Sequence, residues 1–219
     1  MAAAPETPSG GEPPRPQRPS RPARPSPTIA VPVAGAPPAF APIITVRRLS
    51  PTDSIAELTG LLHRAYAKQV EMGLQPLAGR QDERTTLKRV FSGECYVAVH
   101  HISLPDSQSR QKLVGAILFH EVEEAQGPPC FSRVGVASFS QFAVDPDLQG
   151  LGIGLMLLDR VEERAVETGA TEMALSMAEP DSDLMRFYIR RDYHLVETWQ
   201  WPYTNYRSAI LSKVLPPRG

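Results

Sequence analysis

The chain has 219 residues and a formal net charge of −1, with 42% hydrophobic and 21% charged residues. That length suits one ordinary domain plus a tail and argues against two full domains. The near-neutral balance offers no basic field for nucleic acid, no run of about 18 apolar residues spans a bilayer, and no basic start leads into an apolar run as in a secretory signal. A cytoplasmic protein with no membrane and no nucleic-acid partner is expected. The fairly apolar run from Ile29 to Val46 is broken by Pro32, Pro37, Pro38 and Pro42, too many missing donors for a spanning helix. Cys95 and Cys130 match no metal spacing and read as two reduced thiols, with a disulfide as the alternative.

Residues 1–41 hold twelve of the 23 prolines, punctuated by Arg15, Arg18, Arg21 and Arg24. Such a segment buries too little apolar surface to offset chain entropy and reads as a disordered or polyproline-like tail. It is either a plain solvated extension or a docking tail; Glu6 and Glu12 weaken an organelle-targeting reading. The domain is expected over 42–215. Ile43–Leu49 is rich in β-branched residues and predicts a strand. Asp53 or Ser54 caps a predicted helix over Ile55–Gln69, and Asp82–Phe91 predicts a second, stopped by Gly93. Cys95–His100, Lys112–Val122 and Val134–Val144 predict three strands. Leu151–Thr168 is the strongest helix: Leu151, Leu155, Leu158, Val161 and Ala165 repeat at helical spacing, and Gly169 stops it. A strand over Glu172–Met177, a helix from Asp181 or Asp183 to Arg190, and strands over Tyr193–Trp199 and Tyr206–Lys213 complete the order. That mixture predicts an α/β sheet with helices on both faces, joined partly by antiparallel hairpins.

The stretch that carries chemistry is Phe142-Ala143-Val144-Asp145-Pro146-Asp147-Leu148-Gln149-Gly150-Leu151-Gly152-Ile153-Gly154. A strand runs into a turn and the turn into the strong helix. The first N–H groups of a helix have no partner inside it and face partial positive charge, which suits a pyrophosphate. Side chains at Gly150, Gly152 and Gly154 would block its approach. No Gly-Lys-Ser/Thr follows, which disfavours a P-loop, and the turn comes too late in the chain for a dinucleotide-binding turn.

Gln149-x-x-Gly152-x-Gly154 after Phe-Ala-Val-Asp-Pro resembles the acetyl-CoA pyrophosphate loop of the GNAT superfamily of N-acetyltransferases. About 30 residues on, Asp181 to Tyr193 is similar to that family's second motif, keeping Phe187-Tyr188 and Tyr193 but carrying Asp181 where Asn is usual and Asp192 where Gly is usual. The resemblance covers roughly residues 43–213. It implies a mixed, mostly antiparallel sheet of about six to seven strands, splayed in the middle and flanked by about four helices. It also implies acetyl-CoA as acyl donor without a metal, and backbone groups of Phe142 and Val144, with Ala143 between them, along the pantetheine arm. Gln149, Gly150, Leu151, Gly152, Ile153 and Gly154 would hold the diphosphate, and Tyr188 would protonate the leaving thiolate.

The base is not assigned by these patterns. The family's positions for it fall on Ser138 and Ser140, and a serine is a poor base unless another group activates it; Glu179 and His120 are alternatives acting through water. The resemblance implies an N-acetyltransferase acting on a small amine or a peptide or protein amine, and a homodimer stays open. The other readings are a non-catalytic acyl-CoA-binding regulatory module and an adaptor working through its proline-rich tail.

Overall fold

The structure, a computed structural model, describes residues 29–30, 42–103, 109–121 and 127–217. Local signals start its helices close to the positions expected from the sequence, but not every predicted end is kept. Ser54 caps α1 (Ile55–Ala65) by accepting the Glu57 N–H, and Asp82 caps α3 (Glu83–Val90) through the Thr85 N–H. Between them the helix predicted to reach Gln69 breaks at Tyr66, and α2 (Ala67–Glu71) continues as a separate turn. In α4 (Ile153–Thr168) the residues Ile153, Leu157, Leu158, Val161 and Ala165 are buried. Each large apolar side chain so buried contributes about 1.5–3 kcal/mol. Asp181 caps α5 (Ser182–Ile189) through the Leu184 N–H.

The strands are β1 (Ile29–Ala30), β2 (Ile43–Arg48), β3 (Glu94–Ser103), β4 (Ser109–His120), β5 (Val136–Val144), β6 (Glu172–Ala178), β7 (His194–Trp199) and β8 (Ser208–Val214). They form one sheet in the order β1-β2-β3-β4-β5-β6-β8-β7. All neighbours are antiparallel except β5 and β6, which are parallel and joined through α4, the connection that parallel strands require. The mixed, mostly antiparallel sheet expected from the sequence is therefore present, with seven strands besides the two-residue β1. Residues 1–28 and 31–41 of the expected tail lie outside the described residues. So do 104–108 of the β3–β4 link and residues 122–126, which include the last residue of the strand predicted over Lys112–Val122.

Alternation along the strands divides the core. One face packs Ile117, Phe119, Ala137 and Phe139 against α4 and α5, and the other packs Val97, Val99, Ala116 and Leu118 against α1 and α3. Cys95 and Cys130 are both free and buried, and burial pushes the Cys95 thiol up to about 12. No described helix is long and apolar enough to cross a membrane.

Candidate functional site

Strands β5 and β6 pair only from Val136 with Glu172 to Phe139 with Leu175. Beyond that point β5 runs on to Val144 and β6 to Ala178 with no ladder between them. On its other side β5 stays paired to β4, Ala116 opposite Ala143 and Gly115 opposite Val144, with an irregularity between Ala116 and Leu118. Gln141 sits at that irregularity with φ 50, a left-handed value unusual for a residue with a side chain, as in a β-bulge that bends its strand. The Asp145 N–H donates to the Val114 C=O at 2.8 Å. By alternation the backbone groups of Val144 and Phe142 therefore face away from β4, into the opening.

The turn after β5 is built on Asp145, whose side chain accepts the Asp147 N–H and caps a 3-10 turn over Pro146–Leu148. Arg64 of α1 and Lys112 of β4 hold the same carboxylate at 3.0 and 3.2 Å. Burial pushes the Asp145 carboxyl up, but the hydrogen bonds from Arg64 and Lys112 outweigh it and leave the group below its ordinary value. The Gln149 side-chain amide donates to the Val144 C=O at 3.4 Å, closing the turn. Gly150 and Gly152 then take φ 80 and 82, and a Cβ on either would point into open space, with nothing within 4 Å. Gly152 is the N-cap of α4 and offers no side chain. The first helical bond runs from the Met156 N–H to the Gly152 C=O, so the N–H groups of Ile153, Gly154 and Leu155 have no acceptor within the helix. The glycines thus leave free space directly before these donors, an arrangement that fits a diphosphate.

One cavity of about 1250 Å³ receives both the strand opening and the glycine turn; Phe142, Val144, Gly150, Gly152, Gly154 and Tyr188 all line it. Its volume exceeds the roughly 1,000 Å³ upper end of ordinary ligand pockets. Tyr188 is 3% exposed and lies among the rings of Phe139, Phe142, Phe187 and Tyr193. Burial, then the neighbouring Tyr66 and Asp181, push its phenol well above the usual value, with Arg191 opposing. Tyr188 therefore keeps its proton throughout the physiological range. Asp181, besides capping α5, accepts from the Gln69 side chain of α2 at 3.0 Å, so the carboxylate found where the related motif has an amide is engaged within the protein.

The expected candidates for a base separate clearly. Ser140 and His120 line the cavity, whereas Ser138 is buried away from it. Glu179 lies outside the cavity, exposed and 3.7 Å from Arg207. Among residues that the sequence patterns did not single out, Arg191 lines the cavity with its guanidinium 3.9 Å over the Phe187 ring. Arg64 lines it beside the turn. Neither carries a local signal, since each reaches the site only through packing of its helix region. The Trp201 indole N–H donates to the Ser176 hydroxyl on β6 at 3.0 Å and its ring stacks on Tyr203. Both aromatics line the wall beyond the opening.

Solved structures with this fold are similar to the chain at low sequence identity. PH1933 from Pyrococcus horikoshii OT3 matches with a TM-score of 0.57 at 19% identity over 79% of this chain and 99% of that one. The ribosomal-protein-S18-alanine N-acetyltransferase from Escherichia coli matches with a TM-score of 0.55 at 14% identity, over 80% of this chain and 96% of its own. A GNAT family acetyltransferase from Elizabethkingia anophelis, solved with acetyl-CoA bound, matches with a TM-score of 0.52 at 14% identity, over 78% of this chain and 98% of its own. No curated protein sequence matches the chain. The sequence signature described as the Acetyltransferase (GNAT) family matches residues 64–193, more than half of the chain, including the edge of β5, the glycine turn and Tyr188. The chain belongs to the GNAT family of acetyltransferases.

Proposed function

We propose that this acetyltransferase moves an acetyl group from acetyl-CoA to a primary amine by direct attack, without a covalent enzyme intermediate. The observation that carries the reading is the convergence of the unpaired edge of β5, the glycine start of α4 and Tyr188 on one cavity. Phe142 and Val144 pair through their backbones with the pantetheine arm as an added strand would, passing over Ala143. Gln149 holds the turn, and the backbone of Gly150, Leu151, Gly152, Ile153 and Gly154 donates to the diphosphate. Arg64 and Arg191 add positive charge at the cavity wall. Backbone N–H groups in the opening stabilise the negative charge that develops on the thioester oxygen. Tyr188 gives its proton to the departing sulfur.

The test follows thiol release by purified protein given acetyl-CoA and, in turn, phenethylamine, spermidine, L-lysine and an alanine-leading peptide. Turnover that falls at least about 100-fold in Tyr188→Phe, with acetyl-CoA binding retained, supports the reading. Acetyl-CoA binding with no turnover of any amine contradicts it and favours a non-catalytic acyl-CoA-binding module.

A further inference from the structure

Ser140 is the first residue of β5 beyond its last pair with β6, at the root of the opening. It follows Phe139, whose ring packs with Tyr188 in the α4–α5 core, so by strand alternation the Ser140 side chain faces the opposite side of the sheet. The register of β4 and β5 sets Leu118 opposite Ser140 and His120 opposite Ser138. Ser140 and His120 are therefore diagonal neighbours on one face, and the His120 Nε2 lies 3.1 Å from the Ser140 Oγ. Gly93 makes the slot for the ring, because a Cβ there would stand 3.1 Å from the His120 Nδ1 and 2.2 Å from the Phe119 carbonyl oxygen. Both side chains line the cavity.

We propose that Ser140 and His120 form the proton relay that deprotonates the acceptor amine. The inference rests on the N-acetyltransferase reading above and assigns the base to one of the two family positions, Ser140, acting through His120. The Ser140 Oγ accepts a proton from the ammonium group while its own passes to the His120 Nε2, which supplies the activation that a lone serine needs. The freed lone pair forms the N–C bond to the thioester carbonyl carbon, and the C–S bond breaks. The nitrogen's second surplus proton replaces the one that Tyr188 gives to the sulfur, and His120 returns the first to solvent. Ammonium and thioester thus yield amide, thiol and one released proton. The amine and the leaving sulfur are served from opposite faces of the sheet. From the α1–α3 side the titratable groups that line the cavity are Arg64, Tyr66, Lys68, Glu71 and Arg89, the last donating to Gln81 at 2.8 Å. Asp181 stands at the α5 side of the opening, and Glu121, exposed, follows His120; Glu123 and Glu124 lie outside the described residues.

The test compares wild type, His120→Gln and Ser140→Ala for acetyl-CoA binding by calorimetry and for kcat/KM against pH with the best of the four amine probes. Both variants are expected to bind acetyl-CoA as wild type does. His120→Gln should lose about 100-fold in kcat/KM at neutral pH. Its pH profile should change shape, with activity tracking the free-amine fraction instead. Ser140→Ala should lower kcat/KM in the same direction, which keeps the test decisive if His120→Gln does not fold. Variants that turn over with an unchanged pH profile overturn the relay while leaving the transferase reading intact. An acetyl group found on Ser140 after incubation with acetyl-CoA alone, and discharged by amine, also overturns it by making Ser140 a nucleophile. Wild type that binds acetyl-CoA but turns over no amine removes the transferase reading and the relay with it.

Discussion

The Gln81 side-chain amide donates to the side-chain oxygen of Gln141 at 2.9 Å, tying the loop before α3 to the one left-handed residue of β5. Gln81 is 3% exposed, and its amide is fully used, since it also donates to Thr86 and accepts from Arg89, each at 2.8 Å. Removing it takes away the donor to the buried Gln141 side-chain oxygen, while Thr86 keeps its bonds to Thr59 and Asp82; a buried polar group left dry costs about 1–3 kcal/mol. Gln81→Ala is expected to lower stability in urea by about 2 kcal/mol and, by loosening the irregularity in β5, to raise the KM for acetyl-CoA. A variant with wild-type stability and KM would show that the tie is incidental.

Gly152 has φ 82 and open space where a Cβ would stand. Asparagine tolerates that backbone region better than other residues with side chains. Gly152→Asn is therefore expected to fold with a stability loss of about 1 kcal/mol or less, while its side chain occupies the space before the α4 amides. Acetyl-CoA affinity, measured by calorimetry, should fall at least about tenfold, or about 1.4 kcal/mol. Unchanged affinity would remove the glycine turn from the binding site.

Tyr188 is held protonated by burial and by Tyr66 and Asp181. Its ionisation should therefore give kcat no basic limb below about pH 10, the ordinary phenol value. Tyr188→Phe should reduce kcat and leave the dissociation constant of acetyl-CoA within about twofold of wild type, because its hydroxyl serves only as the sulfur leaves. An equal loss in acetyl-CoA affinity would mark the ring as a packing element instead.

Asp145 supports the turn electrostatically. Its side chain is 2% exposed, while those of Arg64 and Lys112 are 47% and 40% exposed, so solvent screens the pairs and their joint contribution is about 1–2 kcal/mol. Its folded pKa lies below the ordinary 3.8, so that stabilisation is complete above the unfolded value and fades as pH falls through the folded one. Urea midpoints measured from neutral to strongly acid pH should show Asp145→Asn less stable at neutral pH and less sensitive to acid below about pH 4. A parallel pH dependence in both proteins would contradict this role.

Features encoded within a few residues are legible in the sequence itself. The periodicity of α4, the caps at Ser54, Asp82 and Asp181, and the Gly150–Gly154 turn all depend on near neighbours along the chain. Features set by distant pairing are not legible in that way. The break at Tyr66 interrupts a run whose apolar spacing looks continuous. The insertion of β8 between β6 and β7 depends on which edges meet, not on either strand's own pattern. Gln141 reads as an ordinary strand residue, yet it takes a left-handed conformation because Gln81 and the β4 register hold it there. His120 and Ser140 are 20 residues apart, and only the β4–β5 register makes them neighbours. Arg191 follows the recognisable Phe187-Tyr188 pair, but its place over the Phe187 ring comes from the turn after α5.

The bare amides that open α4 are tested most directly by a crystal structure with acetyl-CoA bound. Diphosphate oxygens are expected about 2.9 Å from backbone nitrogens between Gly150 and Leu155, with the pantetheine arm along Phe142 and Val144. A diphosphate seated elsewhere, with those nitrogens facing only water, would contradict this placement.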